Sequence, residues 1–143
     1  MIEITRTSLR ASSTHASTEP DGYRPGVCNI GPEEISRRRR GAWAATIVTV
    51  GLYLVLVAVA VPDIWRLVVA LPAAAAAVSW LQVRERFCVA FGSAGVFNFS
   101  AFGSTESILD DDARRADQRK VRSMLVRALL IGAIVGLAAV LIP

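Results

Sequence analysis

Three runs of about 20 residues, 42–61, 64–83 and 123–142, carry only two charged side chains between them, Arg66 and Arg127. A helix rising 1.5 Å per residue needs about 20 apolar residues to cross a hydrocarbon core about 30 Å thick. The runs therefore predict three transmembrane helices and an all-α membrane protein. Composition agrees, because 53% hydrophobic residues in a chain of 143 is more apolar surface than a soluble domain of this size buries. The bilayer is the solvent this sequence is written for.

The segments between the runs divide by chemistry. Residues 1–27 are rich in Ser, Thr, Pro and charge and have no apolar period, which predicts a disordered cytoplasmic tail ahead of a membrane domain, 28–143. The tail lacks the apolar core of a secretory signal. Pro32, Glu33 and Glu34 read as the first turn of a helix, with i,i+4 pairs from Glu33 to Arg37 and from Glu34 to Arg38. Pro62 and Asp63 leave only a tight turn between the first two spans, so these form an antiparallel hairpin. Pro72 predicts a kink in the second span, and the alanines of 73–77 a smooth surface for a neighbouring helix.

The loop 84–122 holds an aromatic, glycine-rich stretch. Phe87, Val89 and Phe91 alternate, as do Phe97 and Phe99, around the Gly92-Ser93-Ala94-Gly95 centre. That period of two allows a short hairpin as well as an irregular loop, in either case folded back on the inner headgroup region or on the bundle. Asp110, Asp111 and Asp112 then open a helix that runs on into the third span, with Arg114 and Arg115 as i,i+4 partners of the first two.

Orientation follows from arginine. Fourteen of the 16 basic residues lie before the first span or between the second and third. Basic residues near span ends stay in the cytoplasm, so the N-terminus and the long loop are expected inside and the C-terminus outside. Trp43, Arg66 and Arg127 are the expected interface anchors, Trp43 through its indole and the arginines by snorkelling. A multi-pass protein of a bacterial plasma (inner) membrane is the expected setting. The basic excess speaks for anionic lipid more than for nucleic acid, because the aromatic-and-basic interleaving of a base-stacking surface is missing.

Few residues carry chemistry. Cys28 and Cys88 are the candidate thiols; two thiols and a single histidine, His15, do not complete a zinc site. No phosphate-binding loop, HExxH or nucleophile with a base occurs. Neither an enzyme nor a bound cofactor is expected. In the third span Ala128, Gly132 and Gly136 form a small-residue stripe that allows close backbone contact, with the second span or with another chain.

Asn29-Ile30-Gly31 with arginines ahead of a span, Leu71-Pro72 in the next, and Phe87-Cys88 followed by Gly92 and Gly95 resemble a known pattern. It is that of the uncharacterised small inner-membrane domain found alone or fused to rhodanese sulfurtransferases, and the likeness covers about 28–97. It implies a paired-helix membrane domain and a sulfur-related role for Cys88. Two functions are thus expected to compete. One is an accessory or scaffold component that packs on itself or on a larger membrane complex; the other is a thiol-dependent sulfur or redox helper using Cys88, with or without Cys28.

Overall fold

The computed structural model describes residues 22–99 and 105–142. Three long helices dominate it: α1 (Pro32–Ala58), a second spanning element that starts as a 3-10 helix (Asp63–Val69) and continues as α2 (Ala70–Glu85), and α4 (Asp111–Leu141). All three are long and apolar enough to cross a bilayer, the mark of a multi-pass membrane protein. α1 has 27 residues and α4 has 31, about 40 and 46 Å at 1.5 Å per residue. Both therefore extend about two to three turns beyond a hydrocarbon core of about 30 Å.

Helix starts follow the sequence chemistry. Pro32 occupies the first turn of α1 with Glu33 and Glu34 beside it. Glu34 takes an ion pair from Arg38 at 2.9 Å and a looser one from Arg37 at 3.9 Å. Asp110 caps α4 by accepting the Asp112 N–H at 3.1 Å. Having capped the helix, Asp110 is not the partner of Arg114; the pair formed here is Arg115 with Asp112, at 3.4 Å.

The hairpin between the first two spans is tighter than its apolar run. α1 ends at Ala58 rather than at residue 61, because Ala60 takes a left-handed conformation (φ 52°) that turns the chain into Pro62. Pro72 then falls in the first turn of α2, where its missing N–H interrupts no α-helical ladder. The expected kink is replaced by the change from 3-10 to α geometry at Val69 and Ala70.

α2 is the central helix and packs on both α1 and α4. Its contact with α4 depends on missing side chains. A Cβ at Gly132 would stand 2.7 Å from the Ala70 carbonyl oxygen and 2.7 Å from the Ala74 Cβ, and one at Gly136 would stand 2.7 Å from the Ala70 Cβ. Ala128 lies buried on the same face. Large apolar side chains such as Ile47, Leu54, Leu129 and Ile134 point outward instead, toward lipid. With lipid tails as apolar as leucine, helix contact must come from close packing, and small residues permit it.

At the other end of the bundle the long loop makes a cap. The hairpin that the alternation allows around Gly92–Gly95 does not form: Val89–Ala94 is a short helix, α3, closed by a left-handed Gly95. The strand pairing runs elsewhere, with β1 (Val96–Phe97) antiparallel to β2 (Glu106–Ser107). The alternating phenylalanines serve helix packing and loop packing, not one strand face. Phe87 is fully buried with Met124 and Val121, whereas Phe97 joins Tyr23, Ile108 and Ala113.

Tyr23 also corrects the expected tail. Residues 1–21 lie outside the described residues, but 22–27 are folded: Tyr23 stacks on Phe97 with ring centroids 4.8 Å apart and is 5% exposed. Polar composition hid a segment anchored by one aromatic ring.

Candidate functional site

The cap gathers most of the buried polar groups among the described residues, and Asn29 is its centre. The side-chain amide of Asn29 donates to the Cys88 carbonyl at 3.1 Å, while its Oδ1 accepts the Cys88 N–H at 2.6 Å. Its own N–H donates to the Arg86 carbonyl at 3.2 Å, and its carbonyl accepts the Asn98 N–H at 3.0 Å. Gly31 N–H then donates to the Asn98 carbonyl at 2.8 Å. One fully buried side chain thus joins the lead into α1 to the α2–α3 turn, and its main chain continues the connection to residue 98.

Cys88 sits inside that knot with no exposed surface. Its Sγ accepts a hydrogen bond from an Arg38 Nη at 3.0 Å, and the same guanidinium is held by Glu34. Cys28 is half-buried and its thiol donates to the Gly22 carbonyl at 3.0 Å. Enclosure opposes thiol chemistry at Cys88, since a sulfur or disulfide partner needs access to Sγ. No group of three metal-binding side chains gathers among the described residues.

Asp117 is the second keystone. It is fully buried on α4, outside the span 123–142, and accepts the Gly26 N–H at 2.6 Å and the Tyr23 hydroxyl at 3.1 Å. Burial pushes its carboxyl above the ordinary range, although both hydrogen bonds pull the other way. Asp117 thereby fixes residues 23–26 to a helix that begins 85 residues after Gly26, since Gly26 N and Asp117 lie 91 positions apart and α4 starts at Asp111, six residues before Asp117.

The expected interface anchors lie in more specific surroundings than headgroup contact requires. Arg127 forms a two-pronged pair with Glu85 at 2.7 and 3.3 Å, and Lys120 pairs with the same carboxylate, so these three side chains join α4 to the end of α2. Arg66 is 8% exposed; it pairs with Asp63 at 3.1 Å and reaches the Ile142 carbonyl at 3.4 Å. Tyr53 donates to that same carbonyl at 3.1 Å. Trp43 packs edge-on against Trp80 at 5.3 Å, and the Trp80 indole N–H donates to Thr46 Oγ1 at 3.1 Å.

Asn29, Arg38, Gln82, Asn98 and Asp117 were not singled out as individual sites by sequence reasoning. For Asp117 a signal was present: the buried positions of α4 run Ala113, Asp117, Val121, Met124, Ala128, Gly132, Gly136, Ala139, and the carboxylate lies on the N-terminal extension of the small-residue stripe. Asn29 and Asn98 carry no such period. No family model, curated protein or solved structure matches this chain.

Proposed function

We propose that this chain is a non-enzymatic accessory or scaffold protein of a plasma (inner) membrane, with its cap and N-terminus in the cytoplasm and its C-terminus outside. The observation that carries this reading is the use made of the cap's buried polar groups. Asn29, Gln82 and Asp117 each hold one chain segment to another through the side chain, and Asn98 does so through its main chain. Such a cap presents a fixed surface on a membrane anchor. The three helices leave broad apolar faces for lipid, for a second copy or for the helices of a larger membrane complex.

The competing sulfur or redox reading requires Cys88 to meet a reactant. Its thiol is enclosed and already engaged by Arg38, which favours the scaffold. Two measurements test the proposal. Purification from native expression in mild detergent is expected to bring down a stoichiometric membrane partner or a homo-oligomer. A strictly monomeric, partner-free protein would count against it. A reporter fused after Pro143 is expected to be active only in an extracytoplasmic assay, and cytoplasmic activity would reverse the orientation.

A further inference from the structure

A cavity of about 680 Å³ opens between the first turns of α1 and the end of α2. Three guanidinium-bearing residues line it: Arg39 from α1, Arg84 from α2 and Arg86 from the turn that follows. Among the described residues no acidic side chain lines it. The withdrawn carboxylates at this end of the helices are already committed, Asp117 to Tyr23 and the Gly26 N–H, Glu34 to Arg38 and Arg37, and Glu85 to Lys120 and Arg127. Among the described residues the side chains of Arg39, Arg84 and Arg86 have no acceptor. Three arginines thus line one cavity with no acidic partner among the described residues.

Ile35, Val83 and Phe99 give the cavity an apolar wall, beside Ser36 and Cys28. Its level relative to the bilayer is fixed by the tryptophan pair. Trp43 lies four residues after Arg39, and Trp80 four residues before Arg84, so both arginines stand one turn, about 6 Å, beyond the aromatic pair. Interfacial tryptophans mark the headgroup boundary, and one turn outward is the depth of lipid phosphate. Arg86 adds a conformational sign. It caps α2 in the left-handed region, φ 51°, where glycine is the residue with no steric cost. The residue held there is instead an arginine that lines the cavity.

We propose that the cavity lined by Arg39, Arg84 and Arg86 binds the phosphate headgroup of an anionic membrane lipid. Guanidinium forks match phosphate oxygens in paired hydrogen bonds, and basic pockets at the ends of membrane helices attract acidic headgroups. The apolar wall receives the glycerol and the start of the acyl chains, which a free phosphate ion would leave without contact. The inference rests on the chain being membrane-embedded; it does not depend on the scaffold reading or on which face of the membrane the cap occupies.

The test is native mass spectrometry of the full chain in neutral detergent, titrated with phosphatidylglycerol and, separately, phosphatidylcholine. Each arginine near a headgroup is worth about a five-fold preference, so phosphatidylglycerol is expected to be retained at least about ten-fold more strongly. R39Q/R84Q/R86Q should abolish that preference. R40Q/R119Q/R122Q removes equal charge from residues that do not line the cavity and should keep it. Equal losses in the two triple variants, or no preference in the wild type, would overturn the proposal. So would full displacement of the lipid by millimolar inorganic phosphate, which would mark a site for a free anion. Should the first triple variant fail to fold, R84Q alone, on the exposed end of α2, is expected to lower retention about five-fold, and unchanged retention would equally overturn the proposal. A monomer without protein partners that still retains phosphatidylglycerol would remove the scaffold reading and leave this one standing.

Discussion

In the membrane-spanning part of the molecule the decisive residues are those with the least side chain; in the cap they are those with the most hydrogen-bonding capacity. Gly132 and Gly136 let α4 approach Ala70 and Ala74 of α2 at distances that no added Cβ tolerates. Asn29 and Asp117, by contrast, reach across long sequence separations, 59 and 91 positions, to main-chain groups that would otherwise be buried unpaired. The difference follows from solvent. Lipid gives apolar side chains no reason to prefer one another, so contact there depends on shape. In the cap, loop segments without regular ladders must satisfy their backbone groups through side chains.

The sharpest way to break the spanning half is Gly132→Leu. The nearest obstacle to a side chain is the Ala70 backbone carbonyl, which cannot swing aside, so α2 and α4 must separate. A loss above about 3 kcal/mol is expected, seen as a lowered thermal midpoint in detergent and reduced abundance. A wild-type midpoint would show that the helices accommodate bulk at this contact.

The corresponding break in the cap is Asn29→Ala, which strands the buried Cys88 N–H, while the Cys88 carbonyl keeps the Gly92 N–H at 2.9 Å. About 2 kcal/mol is expected from one unsatisfied buried group, and the damage should be local. Its signature is Cys88 becoming reactive to a membrane-permeant maleimide while the three helices stay inserted. If Cys88 stayed silent in that variant, Asn29 would not be the keystone described above.

Asp117 sharpens the comparison through pH. Because burial raises its carboxyl, the folded cap binds a proton more tightly than the opened one. Its contribution is then fully present below the ordinary carboxylate pKa and is lost as pH rises through the raised value. Protection of the amides of residues 23–26 against hydrogen exchange, corrected for intrinsic rate, should therefore be greater at mildly acidic than at neutral pH. Asp117→Asn, which keeps an acceptor and removes the charge, should flatten that dependence. The opposite slope in the wild type would be incompatible with a carboxyl raised by burial.

Cys88→Ser is expected to have the smallest effect. A hydroxyl can still accept from Arg38, so the cost should stay near about 1 kcal/mol, with full complementation of any deletion phenotype at normal abundance. An abundant but inactive variant would restore the sulfur or redox reading.

The spanning half was largely legible because lipid imposes a length and an absence of charge, both visible in any window of residues. The stripe of Ala128, Gly132 and Gly136 was legible for a related reason: a helix repeats its faces at fixed spacing. The cap resisted, since its contacts join residues with no common period. Phe87, Val89 and Phe91 alternate like a strand, yet Val89 begins a helix, and the close approach of Gly92 to the Phe87 ring, where a Cβ would stand 2.6 Å away, is a tertiary fact. Tyr23 lay within a stretch whose average composition argued for disorder. Averages over 27 residues conceal a single ring that finds a partner.

The bond between the Tyr23 hydroxyl and Asp117 also sets an order of events during synthesis. The two residues lie 94 positions apart, and a ribosome adding roughly 5–20 residues per second needs on the order of five to twenty seconds to travel from one to the other. Throughout that interval the first hairpin can be complete in the bilayer while the hydroxyl of the ring at its approach still lacks its carboxylate. A nascent chain halted before α4 would therefore present a cap not yet latched by Asp117 to whatever waits beside the translocation machinery.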